Sequence, residues 1–159
     1  MPGRISAGGE NRRHWGTDEE FLLVAPQALA HTIDPERLRS APAEALAHVP
    51  LVAYAEELPI VRRYWRTEFG HRPSNPVVMI VPDLRGILAA VAAGAGMSVL
   101  PRYIAAPALA TGDVVQLHQP ELAPLNTLYL ATRRGAPANP ATTVLRDRLQ
   151  QAARAWNGL

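Results

Sequence analysis

Residues 81–103 of the chain read VPDLRGILAAVAAGAGMSVLPRY. Apolar side chains recur at helical spacing after Asp83, and aspartate is a residue type that caps helix N-termini. The apolar stripe comprises Leu84, Ile87, Leu88, Val91 and Ala92. Gly94 predicts the end of this helix, and the run at 97–100 predicts a short buried strand directly after it. The stretch therefore predicts a helix that leads into a strand, as α/β folds require.

The alternation of strands and helices continues on both sides of this stretch. Short apolar runs typical of strands lie at residues 21–25, 51–54, 77–81, 114–117 and 128–132. Helical periods lie at residues 58–69, 101–110 and 140–156. The unbroken apolar run at 77–81 is typical of a strand that is covered on both faces. This order predicts an α/β fold with a mostly parallel sheet flanked by helices.

The composition excludes several chemistries. The 159 residues include no cysteine and no lysine, because all sixteen basic residues are arginine. Disulfides, thiolate metal ligands, cysteine nucleophiles and lysine Schiff bases are therefore excluded. With 48% hydrophobic residues, 19% charged residues and a formal net charge of +2, the chain has a globular composition without a dense basic field. Because it also lacks a long apolar segment, we expect a cytoplasmic protein without a membrane partner.

No residue pattern predicts an enzyme. The five histidines lack the spacing at which two metal ligands share a helix face. Gly94 and Gly96 follow a helix and precede a strand, which is the reverse of a phosphate-binding loop. Ser98 lacks the strand-to-helix turn of a nucleophile elbow. We therefore predict no catalytic residue, no cofactor and no metal ligand.

Several predicted strands lead directly into helix starts. Tyr54, Ala55 and Glu56 precede the helix at 58–69, Asp83 and Leu84 open the next helix, and Pro101 follows the strand at 97–100. The carboxyl ends of parallel strands form the ligand crevice of an open sheet, where unpaired backbone amides favour anions. These segments are therefore the candidate binding residues, and the alternative is that they are ordinary capped turns.

The stretch at 81–103 also resembles the effector-binding domain of LysR-type transcriptional regulators. In that family a helix ends in Val-Ala-Ala-Gly-x-Gly, and a short strand then leads to Leu-Pro. The resemblance continues at 109–117, where LATGDVVQL is similar to the family pattern Leu-x-x-Gly-x-Leu-Val-x-Leu. It extends through 128–134 to Asn139, Pro140 and the closing helix. Residues 20–156 are covered in all.

The resemblance implies a periplasmic-binding-protein-like fold of type 2, of which this chain holds a part. Residues 1–19 are then expected to be a disordered leader, and 20–159 a partial effector-binding domain. Within it, 26–120 would be one nearly complete lobe, the second, 121–139 the crossover back, and 140–156 the C-terminal helix of the first lobe. The family's helix-turn-helix and most of its first lobe would be absent. The apolar stripe with Leu145, Leu149 and Trp156 must then pack elsewhere, dimerise or stay exposed.

The function that the resemblance implies is transcription control by a small-molecule effector, in a homo-oligomer whose present segment makes no direct DNA contact. The expected effector contacts are Tyr54, Ala55, Glu56, Asp83, Leu84 and Pro101. Backbone amides there would bind an anion such as a carboxylate, whereas the Asp83 and Glu56 side chains would repel it. Two alternatives stay open: an interaction protein that pairs with itself or with a full-length regulator, and a remnant without function.

Overall fold

The computed structural model describes residues 11–120, 125–133 and 139–156. The strands are β1 (Asn11–Ala25), β2 (Leu51–Ala53), β3 (Val77–Ile80), β4 (Ser98–Pro101), β5 (Val115–His118) and β6 (Leu125–Arg133). The α-helices are α1 (Gln27–Ala30), α2 (Pro35–Ser40), α3 (Pro42–Leu46), α4 (Pro59–Tyr64), α5 (Leu84–Ala92), α6 (Arg102–Thr111) and α7 (Pro140–Trp156). A π-helical turn (Trp65–Phe69) continues α4.

The chain divides into two compact units, and β1 passes from one to the other at Glu20. The larger unit spans Glu20–Leu125, and the smaller unit combines residues before Glu20 with residues after Leu125. No helix among the described residues is long and apolar enough to cross a membrane.

The sheet of the larger unit is mixed. Strands β2 and β3 pair in parallel, and a parallel bridge between Leu51 and Met97 connects β2 to the start of β4. Strand β1 pairs antiparallel with β4 on one side and with β5 on the other. The order is therefore β3-β2-β4-β1-β5, and β1 alone runs against the other four strands. The predicted α/β fold with a mostly parallel sheet is confirmed.

Two hydrophobic clusters cover the two faces of this sheet. Phe21, Leu23 and Ala25 belong to one cluster, which also holds residues from α3, α4 and the π-helical turn. Leu22 and Val24 belong to the other, with residues from α5 and α6. Successive residues of β1 point to opposite faces, as the pleat of a strand requires. β1 therefore contributes side chains to both hydrophobic clusters of the larger unit.

The junction between β2 and β4 depends on a close approach at Gly96. The Met97 amide donates to the carbonyl oxygen of Pro50 over 2.9 Å, and the Val52 amide donates to the Met97 carbonyl oxygen over 3.0 Å. A Cβ atom on Gly96 would lie 2.4 Å from the Pro50 oxygen. A side chain at position 96 would therefore push apart the two strands that these hydrogen bonds join.

Side chains cap three of the helices, and the cap predicted from sequence at Asp83 is confirmed. The Oδ1 atom of Asp83 accepts a hydrogen bond from the Gly86 amide over 2.6 Å at the start of α5. Asp34 accepts from the Glu36 amide over 2.9 Å at the start of α2, and Asn139 accepts from the Ala141 amide over 2.9 Å at the start of α7. Each side chain satisfies an amide that has no partner within its own helix.

The predicted burial of the 77–81 run on both faces is wrong. All four residues of β3 are exposed, with relative accessibilities between 40% for Val77 and 55% for Val78. β3 is the last strand of the sheet and lies outside both hydrophobic clusters. An apolar run has the same composition at the edge of a sheet as in its centre, so sequence alone did not distinguish the two positions.

The predicted disordered leader is wrong for residues 11–19. These residues belong to β1 and pair with β6. The Asn126 side chain donates to Glu19 over 3.1 Å, and the Thr127 hydroxyl donates to Asp18 over 2.8 Å. Pairing with β6 provides hydrogen-bond partners for the backbone of these residues, and this does not require an apolar pattern. The polar sequence therefore did not predict a strand. Residues 1–10 lie outside the described part.

The apolar side of α7 is exposed within this chain. Val144, Leu145 and Leu149 have relative accessibilities of 61%, 60% and 47%. These three side chains therefore do not pack against the rest of the described chain, while the Trp156 side chain lies outside the described part.

The Gly96→Ala variant should lose about 2–3 kcal/mol of unfolding free energy, because the new methyl group overpacks the β2–β4 junction. Urea denaturation of the purified chain measures this loss. Gly94→Ala is the matched control: Gly94 also has a positive φ, but a Cβ there meets no atom within 4 Å. Equal losses for the two variants would contradict the role assigned to the Pro50 contact.

Candidate ligand-binding site

The carboxyl ends of β2, β3 and β4 lie at the same end of the sheet, because the three strands run in the same direction. β1 runs the other way, and Phe21 pairs with Pro101. Glu20 therefore lies at this end as well. All six residues predicted from sequence as binding residues lie at or just after these strand ends: Tyr54, Ala55, Glu56, Asp83, Leu84 and Pro101. The topology thus brings together segments that are far apart in sequence.

The segment after β2 is a tight turn with an unusual backbone. The Leu58 amide donates to the Ala55 carbonyl oxygen over 3.0 Å, and Leu58 itself has a φ of 52°. A left-handed conformation of a non-glycine residue costs about 1–3 kcal/mol and is concentrated at functional sites. Tyr54 and Glu56 are exposed in this turn, whereas Ala55 is half-buried.

A small cavity lies beneath this turn, with a volume of about 10 Å³. Its lining residues are Tyr54, Leu58, Pro59, Ile60, Val61, Ile87, Ser98 and Val99. A cavity of this size holds about one water molecule. The Ser98 hydroxyl is buried and donates to the Val52 carbonyl oxygen over 2.7 Å, so it contributes to the β2–β4 junction.

The other predicted residues offer mainly backbone groups. One oxygen of Asp83 is occupied by its cap to Gly86. Leu84 is half-buried against the cluster of α5 and α6, and Pro101 is buried. Helix α6 begins directly after Pro101 without a side-chain cap and without an acidic residue in its first turn. Amide groups at such a helix start attract negative charge.

Sequence reasoning did not find the ion pair between Glu20 and Arg102. The Arg102 Nη2 atom donates to Glu20 Oε1 over 2.8 Å, and its Nε atom donates to Glu20 Oε2. This two-point hydrogen bonding raises the pKa of Arg102 above its usual range. Because 82 residues separate the partners, no local pattern in the sequence predicted their contact.

An aromatic cluster supports β5 at the same end of the sheet. The Tyr64 hydroxyl and His118 Nδ1 lie 3.0 Å apart, and the Phe69 and His118 rings meet edge to face with centroids 5.0 Å apart. Burial, with smaller contributions from Glu68 and Glu20, raises the pKa of Tyr64 well above its usual value. The phenol therefore keeps its proton, and its hydroxyl group forms a hydrogen bond with the His118 ring.

The charges around the site are of both signs. Glu20, Glu56 and Asp83 supply carboxylates, and Arg102 supplies a guanidinium group that faces one of them. Within the described residues, no three histidine, aspartate or glutamate side chains are grouped to hold a metal ion. The arrangement can bind a polar small molecule through amides, one arginine and flanking carboxylates.

With this geometry in hand, comparison with known proteins identifies the family. Residues 3–154 match the LysR substrate binding domain. The chain therefore belongs to the LysR substrate-binding domain family, whose members are transcriptional regulators rather than enzymes, and its fold is the type 2 periplasmic-binding-protein-like fold.

Particular relatives are similar over nearly the whole chain. The HTH-type transcriptional regulator AbaB of Streptomyces antibioticus is 43% identical over 139 residues, which are 87% of this chain and 46% of AbaB. ArgP from Mycobacterium tuberculosis superposes with a TM-score of 0.74 at 24% identity, covering 90% of this chain and 47% of ArgP. Full-length LysG from Corynebacterium glutamicum, with arginine bound as effector, superposes with a TM-score of 0.70 at 22% identity, covering 96% of this chain and 49% of LysG. The chain spans about half the length of these proteins.

The larger unit should lose stability on mild acidification. Burial lowers the pKa of His118 below its ordinary 6.5. The unfolded chain therefore binds more protons at this site, and the unfolding free energy should fall as the pH drops through 6.5. Urea denaturation between about pH 7.5 and pH 5.5, above the carboxylate range, measures this slope. The slope should become shallower in His118→Gln, and an unchanged slope would contradict this assignment.

Proposed function

We propose that this chain is the effector-sensing part of a LysR-type transcriptional regulator and that it carries out no catalysis. The observation that carries the proposal is the convergence, in a LysR substrate-binding fold, of three strand ends and the Glu20–Arg102 pair at one end of the sheet. The family match supports regulation as the function and, with it, a cytoplasmic location. Because the chain spans only part of its relatives, DNA binding belongs to the proposal for a whole regulator.

The proposed effector carries a carboxylate. Arg102 is nearly half exposed, and its planar guanidinium group can form the same two parallel hydrogen bonds with a ligand carboxylate that it now forms with Glu20. The uncapped start of α6, directly behind Arg102, adds amide groups that favour negative charge. A bound carboxylate would therefore replace Glu20 as the partner of Arg102.

The proposed effector also carries a cationic group. Glu56 is exposed beside the strand end of β2, and Asp83 is exposed beside that of β3. A ligand with only negative charge would be repelled by these groups, whereas an amine or guanidinium would be attracted to them. Arginine, the effector bound to LysG, has both kinds of group and is the first probe.

Regulation by such an effector requires two states of the protein that bind it with different affinities. The replacement of Glu20 by a ligand carboxylate at Arg102 would give two such states. In one state Arg102 is paired with Glu20, and in the other it is paired with the ligand. Glu20 is the first residue of β1 that belongs to the larger unit.

Arg102→Ala should weaken binding of L-arginine to the purified chain about 10–100-fold, because a charge-assisted hydrogen bond contributes about 1.5–3 kcal/mol. Isothermal titration calorimetry measures the change. Glu20→Gln should tighten binding, because it removes the competing carboxylate. L-Argininamide, which lacks the carboxylate, should bind weakly to the unaltered chain.

Arg39→Ala is the matched control, because Arg39 is also ion-paired with a glutamate but lies on α2, away from the strand ends. An equal affinity of Arg102→Ala and the unaltered chain would remove Arg102 from the site. If no compound in a panel of amino acids and organic acids binds the chain, the proposed sensing function is wrong.

Asp83→Ala should lower the unfolding free energy by about 1 kcal/mol through loss of the α5 cap, and should also change the affinity for the ligand. Asp34→Ala removes the equivalent cap of α2 and should cost similar stability with no change in affinity. A folded Asp83→Ala variant with unchanged affinity would exclude Asp83 from the site.

A further inference from the structure

The Tyr54 side chain differs from the other tyrosines of the chain, because it has no partner among the described residues. The Tyr64 hydroxyl contacts His118, and Tyr103 and Tyr129 also interact with other groups. The Tyr54 side chain is 41% exposed and forms neither a hydrogen bond nor a ring contact with any other described residue. A tyrosine combines an apolar ring with a polar hydroxyl group. At Tyr54 both of these groups are accessible to a ligand.

The backbone around Tyr54 is fixed on both sides. Directly before it, the Ala53 carbonyl oxygen accepts a hydrogen bond from the Val81 amide over 2.8 Å. Directly after it, the hydrogen bond from the Leu58 amide to the Ala55 carbonyl oxygen closes the turn. A tyrosine side chain rotates about only two bonds, so little conformational entropy is lost when a ligand orders it. The ring is therefore well placed to contribute to binding.

The space beneath the Tyr54 side chain is too small for a ligand. The cavity that it lines has a volume of about 10 Å³, which is enough for about one water molecule. The opposite walls of this cavity are the buried residues Val61, Ile87 and Ser98. A ligand group that contacts Tyr54 must therefore lie against the outer, exposed surface of the side chain.

Charged groups of both signs lie at the same end of the sheet as Tyr54. The exposed Glu56 is two residues further along the same turn, and the exposed Asp83 follows β3, which pairs with β2. Arg102 begins α6 directly after β4, the other neighbour of β2. Neighbouring strands are about 4.8 Å apart. A ligand of amino-acid size that binds Arg102 through its carboxylate can therefore reach the end of β2 with its side chain.

Given the sensing function proposed above, we propose that Tyr54 determines the specificity of the site for a flat, delocalised cation such as a guanidinium group. The carboxylates attract any cation, so they do not distinguish a guanidinium from an ammonium group. A guanidinium group is planar and weakly hydrated and stacks on aromatic faces, whereas an ammonium group is a compact and strongly hydrated charge. A flat neutral group would stack on the ring but would gain nothing from the carboxylates. Only a flat cation uses both features of the site.

The experiment compares four ligands by isothermal titration calorimetry on the full chain. All four are α-amino acids: L-arginine, L-lysine with an ammonium group, L-citrulline with a flat uncharged group, and L-phenylalanine with a flat apolar ring. The unaltered chain should bind L-arginine most tightly. Tyr54→Leu should weaken binding of L-arginine about 3–30-fold, through loss of the cation–π contact, and binding of L-lysine about twofold or less.

Two matched variants separate the ring from other effects. Tyr54→Phe keeps the ring and should keep the preference for L-arginine over L-lysine. Tyr103→Leu removes an equally exposed tyrosine, which directly follows Arg102, and should leave that preference unchanged. A second measurement requires no variant: in NMR spectra of isotopically labelled L-arginine, the protons beside the guanidinium group should shift upfield on binding, because they lie over an aromatic ring.

The outcomes distinguish the role of Tyr54 from the sensing function itself. Equal losses of L-arginine and L-lysine affinity in Tyr54→Leu, equal binding of L-citrulline or L-phenylalanine and L-arginine, or the absence of an upfield shift would each overturn the role of Tyr54. Binding of only other amino acids or organic acids would also overturn it, and sensing would stand. The absence of binding by any amino acid or organic acid would instead contradict the sensing function. If Tyr54→Leu is unfolded in urea denaturation, the ligand preference and the upfield shift of the unaltered chain decide.

Discussion

Two backbone hydrogen bonds at Met97 organise the larger unit. They join the parallel pair β2–β3 to the antiparallel set β4-β1-β5, and they form only because residue 96 has no side chain beside the Pro50 carbonyl. This junction aligns β2, β3 and β4 in one direction. The starts of α4, α5 and α6 therefore meet at the same end, so the location of the candidate site follows from a backbone contact remote from any ligand.

The side chains at that end determine what the site can recognise. The backbone supplies amide groups, which favour negative charge, while Glu56 and Asp83 oppose it. The ion pair with Glu20 holds the Arg102 guanidinium group at the site and balances its positive charge. A ligand of mixed charge fits such a site better than a simple anion.

The sequence predicted features that depend on neighbouring residues. The Asp83 cap, the helix after it and the buried strand that leads to Pro101 all follow from local spacing. Features that depend on distant contacts were missed: the position of β3 at the edge, the pairing of the polar residues 11–19 with β6, and the contact of Glu20 with Arg102. The candidate binding residues follow from strand direction, and their role in binding stays a prediction.

Amide-resolved NMR of the isotopically labelled chain, titrated with the tightest ligand among amino acids and organic acids, tests the central claim most directly. The account predicts shifts at Tyr54–Glu56, Asp83, Leu84 and Arg102, with the Glu20 amide responding as its carboxylate leaves Arg102. Saturable shifts confined to α7 or to the α1–α3 end of the sheet would contradict the assignment of the ligand site to the carboxyl ends of the strands.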